Sequence, residues 1–123
     1  MATIYTSAGE AVVADLIDGT SATHLDNTNG KVAWGTGAGT AAKGDTTLFT
    51  EATEARVAAS TSQPAADTNQ WVGTITADGA KTITNAGLFD AAAAGNLIVH
   101  GDFTGIVLAT NDAIEFTISL QQT

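Results

Sequence analysis

The chain has 123 residues and a mass of 12.3 kDa, enough for one domain and too little for a second independent core. Thirteen acidic residues against four basic ones give a formal charge of −9. This argues against nucleic-acid binding, whose affinity rests on Lys and Arg displacing counterions, and against an anionic membrane surface. With no cysteine, disulfides, thiolate metal sites and cysteine nucleophiles are excluded.

Apolar residues make up 44% of the chain, but 24 of them are alanine, while Leu, Ile, Val and Phe together number 26. The core is therefore thin, and a domain of this size gains stability by burying surface against a partner. No apolar run approaches the roughly 18 residues that span a bilayer. The opening Met1-Ala2-Thr3-Ile4-Tyr5 carries neither the basic nor the hydrophobic block of a signal peptide, so synthesis in the cytosol is expected.

The first element predicted is a helix over Ser7–Asp18. Ser7 and Glu10 form a capping-box pattern, Gly19 is placed as the C′ stop, and Ala11, Val12, Val13, Leu16 and Ile17 make an apolar stripe. The stripe docks either on the rest of the domain or on a neighbouring subunit. Beyond Asp18 the texture turns to β. Asp26-Asn27-Thr28-Asn29-Gly30 is a turn, Lys31–Trp34 a short strand, and Gly35–Asp45 a loop with too few large side chains for regular packing. Glu54–Gln63 is expected as a strand, Pro64–Asp67 as a turn, and Gln70–Thr76 as the returning strand with Trp71, Gly73 and Ile75 on one face. Asp78-Gly79 reads as a tight turn, making Gln70–Phe89 a hairpin. After a small-residue turn at Asp90–Asn96 come strands at Leu97–Phe103 and Ala113–Gln121. The last alternates strictly, with Ile114, Phe116, Ile118 and Leu120 opposite Glu115, Thr117, Ser119 and Gln121. The predicted fold is mostly β: an antiparallel sandwich or roll of about six to eight strands with one short N-terminal helix. A single domain is expected, with 1–19 as N-terminal segment and helix, and 20–123 as the sandwich carrying a glycine-rich loop at 35–44.

Candidate chemistry is sparse. Gly35-Thr36-Gly37-Ala38-Gly39 has the glycines of a phosphate loop, but Lys43-Gly44-Asp45 is in the wrong order for a P-loop, and the apolar helix of a dinucleotide unit is missing. His24 and His100 stand in no HxxxH or HxH pair and read as surface or packing residues. Asp26–Gly30 resembles part of a calcium loop, but the closing glutamate position holds Gly37, which favours a plain turn. The carboxylates are scattered in or beside turns without the aromatic platforms of a glycosidase. Arg56 is either an ion-pair anchor for Glu51 and Glu54 or a contact for an acidic partner, and Trp34 and Trp71 are either core or interface. No enzyme, cofactor or metal site is expected.

Several blocks together resemble small structural proteins of tailed bacteriophages, namely capsid decoration (cement) proteins and related tail-fibre modules. They are Val32-Ala33-Trp34-Gly35-Thr36-Gly37, Gly44-Asp45-Thr46-Thr47-Leu48, Glu54-Ala55-Arg56-Val57, and Thr82–Asp90 followed by Gly95-Asn96-Leu97. The most specific piece is Ala-Gly-Leu-Phe-Asp followed by Gly-Asn-Leu. The resemblance spans about residues 30–120 and implies a non-enzymatic virion component on the outer surface of the head, made in the host cytoplasm. In such proteins copies, expected as trimers, seat on the major capsid protein and stabilise the shell. A tail-fibre or baseplate module binding a neighbouring tail protein or a host glycan is the alternative, disfavoured by the lack of a shaft, a repeat or a receptor-binding tip. The expected contact surfaces are the N-terminal segment (Ile4, Tyr5, Leu16, Ile17), the glycine loop (Gly35, Gly37, Gly39, Lys43) and Arg56.

Overall fold

A computed structural model describes residues 2–20 and 24–122. Eight strands among them form two antiparallel sheets with one short helix, the mostly-β architecture expected. In chain order the elements are β1 (Ala2–Tyr5), α1 (Ser7–Asp18), β2 (Lys31–Gly35), β3 (Val57–Ala58), β4 (Ser60–Ala65), β5 (Thr68–Thr76), β6 (Lys81–Phe89), β7 (Leu97–Leu108) and β8 (Ala113–Gln121). The larger sheet runs β1-β7-β6-β2-β3 and the smaller β4-β5-β8.

The helix has the expected bounds, but its cap lies one residue earlier. Thr6, extended at φ −76 and ψ 161, accepts the N–H of Gly9 on its side-chain oxygen at 3.0 Å. Tertiary contacts select Thr6 over Ser7, because its hydroxyl is fully buried against the carbonyls of Leu97 and Ile98. The Ser7 N–H is left to the carbonyl of Lys43, at 2.8 Å. At the other end Gly19 takes the left-handed conformation, φ 74, as a C-terminal stop requires. β1, which has no alternating pattern of its own, adds to the sheet edge through pairing with β7, Ile4 opposite His100 and Tyr5 opposite Val99.

Two strand expectations are corrected. The single strand expected at Glu54–Gln63 divides at Ala59, where the chain leaves the larger sheet, in which β3 pairs with β2, and enters the smaller, in which β4 pairs with β5. That crossing closes one side of the sandwich. Gln70–Phe89 is not a hairpin, because β5 pairs with β4 and β8 while β6 pairs with β2 and β7. Neither Asp78 nor Gly79 has the positive φ that a two-residue hairpin turn needs, so the connection carries the chain from one sheet to the other. β7 also continues five residues beyond the predicted Phe103.

Between the sheets lies one core in which Val32, Trp34, Leu88 and Ile98 of the larger sheet meet Trp71, Ile75 and Leu120 of the smaller. Gly73 permits the approach, since a Cβ there would stand 3.1 Å from a Val32 methyl. Both tryptophans are core residues, at 1% and 3% exposure. On the outer face of the larger sheet a second cluster, Ala33, Leu48, Phe89 and Leu97, is covered by the loop that follows β2.

Candidate interaction surface

The glycine loop lies against its own chain. Thr36 and Gly37 donate to the carbonyls of Thr50 and Phe49 at 2.9 and 2.8 Å, prolonging β2 against the segment that returns to β3. The close approach explains the glycines. A Cβ on Gly35 or Gly37 would come within 2.5 or 2.8 Å of the Phe49 carbonyl oxygen, and one on Gly39 within 2.7 Å of the Phe49 ring.

Beneath the loop sits a polar hub that the sequence does not advertise. His100, fully buried, places Nδ1 2.7 Å from an Asp45 oxygen and Nε2 3.1 Å from Asn85 Oδ1, while Phe49 lies over the imidazole at 4.7 Å between centroids. Asn85 closes the circuit, accepting the Phe49 N–H and donating to the Phe49 carbonyl, both at 3.1 Å. His24, by contrast, is exposed.

Arg56 forms the anticipated ion pair, but with Glu51 alone, in a bidentate fork at 2.8 and 2.9 Å. Its remaining amino group donates to the carbonyls of Ala91 and Ala94, and the guanidinium stacks 3.5 Å from the Phe89 ring centroid. The clamp holds the 90–96 turn, which Asp90 closes by accepting from the Asn96 N–H and side-chain amide at 2.7 and 2.9 Å. Glu54 belongs to a separate clamp. Its carboxylate accepts from Trp34 Nε1 at 2.9 Å, from the Asp78 N–H at 3.0 Å and from the Lys81 ammonium. Burial works against the charge, but the Lys81, Trp34 and Asp78 donors outweigh it and bring the Glu54 carboxyl down to about 2.

Among the remaining expected contact residues, Lys43 is exposed and reaches Glu10 at 2.6 Å, with Tyr5 beneath it. Ile4, Tyr5 and Leu16 are half-buried, whereas Ile17 is 84% exposed. Burial and then the Glu10 carboxylate raise the Tyr5 hydroxyl above its ordinary range. Asp26, in the segment compared with a calcium loop, accepts the N–H groups of Thr28 and Asn29 at 2.9 and 3.0 Å, the geometry of an Asx turn. These bonds hold its carboxyl below the usual range. Among the described residues no group of three or more His, Asp or Glu is arranged to hold a metal ion, and no helix is long and apolar enough to cross a membrane.

The other notable surface is the side of the sandwich opposite the β3–β4 crossing. There β8 edges the smaller sheet, and Ile114, Phe116 and Ile118, aimed at the core, remain only half-buried. A cleft of about 160 Å3 opens beside Phe116 and Ile118, lined also by Thr3, Val99 and Phe103 among others. The alternation of β8 was legible in the sequence, but its position at an edge depends on strand order.

No protein-family model, curated protein or solved structure matches the chain.

Proposed function

We propose that this protein is a non-enzymatic structural component of a tailed-phage virion, a capsid decoration protein that seats on the outer surface of the head and stabilises the shell. One observation carries the reading. The blocks that resemble phage structural proteins, far apart in sequence, come together in and beside the larger sheet, where Thr84 bonds to the Gly37 carbonyl and Asp90 to the Asn96 N–H, while Asp45 meets His100, Asn85 the Phe49 backbone, and Arg56 both Glu51 and the Ala91 carbonyl. Asp45, Asn85, Arg56 and Asp90 are all engaged in holding loops, which is the work of a stable plate rather than of a reacting site.

Apart from Lys43 and Glu51, the exposed rim of that plate is built largely of small residues, among them Ala38, Gly39, Thr40, Thr46, Thr47 and Ala92–Ala94. Such a surface approaches a shell closely and loses little side-chain entropy on docking. The partner is the major capsid protein, and the resemblance implies threefold grouping of copies upon it. The charge of −9 keeps free subunits soluble and away from packaged DNA.

The test is direct. Purified protein added to undecorated, expanded heads of the phage that encodes it should bind and raise their disruption temperature. Thr40→Trp and Ala93→Trp alter exposed rim residues, so they should leave stability within about 0.5 kcal/mol while weakening head binding. Heads equally fragile with and without the protein would refute the reading.

A further inference from the structure

We propose that β8 is a self-association seam, along which a second copy of this chain adds its own β8 antiparallel about a two-fold axis. The four sheet edges differ in how they are protected. β1 has four residues and β3 two, too short to template a partner strand. β4 carries Pro64 and an irregular register between Ser62 and Ala65. Proline, bulges and short length are the usual means of blunting an edge. β8 has none of these. Its nine residues pair with β5 in unbroken register, it contains neither Pro nor Lys, and its one charge is Glu115. Among the described residues no strand lies on its other side.

The apolar residues on this side are incompletely covered. Ile106 lies opposite the fully buried Ile83 in the β6–β7 register, and so shares its face, yet is 42% exposed. Half-buried Phe103, Phe116 and Ile118 line a gap beside β8 that one more strand would cover. Charge identifies the occupant. A basic partner would find only Glu115 here, whereas in an acidic chain this almost uncharged edge lets two copies meet with little repulsion.

The residues narrow the register, and full overlap of the two nine-residue strands sets the axis at the middle residue, Thr117. Side-chain alternation requires the two-fold axis to pass through a residue position, and centring on Glu115 would oppose the two carboxylates. α1 approaches β8 at Gln121 and Gln122, which excludes centres near that end. Centring on Thr117 places it against the partner's Thr117, Phe116 against the partner's Ile118, and Glu115 against the partner's Ser119. The contact is isologous and closes at two copies. It does not rest on the virion reading, since the pair forms in free protein whether or not copies later gather on a shell.

Sedimentation equilibrium on the intact protein tests the seam, with three exposed-site variants. Wild type should show a concentration-dependent monomer–dimer equilibrium. T117K sets like charges against each other at the axis and should weaken the dimer roughly tenfold, whereas S119K meets the partner's Glu115 twice and should tighten it about fivefold. S62K, on the blunted β4 edge, should change nothing. Amide exchange at Glu115–Ser119 should slow as protein concentration rises. A monomer at all concentrations, T117K and S119K shifting the equilibrium in the same direction, or an oligomer indifferent to both would overturn the proposal.

Discussion

Replacing Glu54 with Gln should destabilise the fold at neutral pH, and the deficit should vanish in acid. The Glu54 side chain is 6% exposed and receives the Trp34 indole N–H, the Asp78 N–H and the Lys81 ammonium. Its carboxyl titrates at about 2 in the fold against an ordinary 4.5. At 1.36 kcal/mol per pH unit, that difference corresponds to about 3 kcal/mol of stability at pH 7. Glutamine retains one acceptor oxygen but turns an amide N–H2 toward donors, so about 2–3 kcal/mol should be lost. The sign follows from the depressed value: the contribution is complete above the unfolded value near 4.5 and disappears as pH falls toward 2. Urea unfolding followed by fluorescence of the buried Trp34 and Trp71 should therefore give wild-type and variant curves that separate at pH 7 and converge as acid is added. A difference that stays constant with pH, or one below about 0.5 kcal/mol at pH 7, would refute the argument.

Three other outcomes follow from the same contacts. Arg56→Ala removes the Glu51 fork, two carbonyl bonds and the stacking on Phe89, and should cost about 2–4 kcal/mol in chemical denaturation; Arg56→Lys should recover little, since an ammonium reproduces neither fork nor stack. Gly9→Ala should cost about 1–3 kcal/mol, because its Cβ would lie 2.5 Å from the backbone oxygen of Ile98, and a melt equal to wild type would refute that packing. Thr6→Ala should cost about 1–2 kcal/mol through the lost cap, whereas Thr6→Ser, which keeps the hydroxyl, should retain most of the stability in the same measurement.

What the sequence disclosed depended on how local the determining contacts are. The bounds of α1 were readable because the apolar stripe and Gly19 belong to the helix itself, yet the choice of Thr6 over Ser7 as cap was made by the carbonyls of Leu97 and Ile98, across the sheet. β8 was legible from its alternation. The Asp78-Gly79 dipeptide suggested a hairpin because the residues resemble a turn, but whether a turn joins neighbours or changes sheet is decided by long-range pairing.

The contact residues show the same division. The Arg56–Glu51 pair was visible from proximity in sequence, whereas the Ala91 and Ala94 carbonyls and the Phe89 ring that complete the clamp were not. His100 appeared as an isolated histidine because Asp45 and Asn85 reach it only in the folded sheet. Glycines at 35, 37 and 39 suggested a loop shaped to a neighbour, and in the fold the surface they follow is Phe49.

Labelling intact virions with gold-conjugated antibody against this chain asks where the protein resides. Decoration of the head surface, with gold spread over the shell and absent from the tail, is the expected result. Gold confined to the tail, or a virion without label when the antibody recognises the free protein, would contradict the assignment to the capsid.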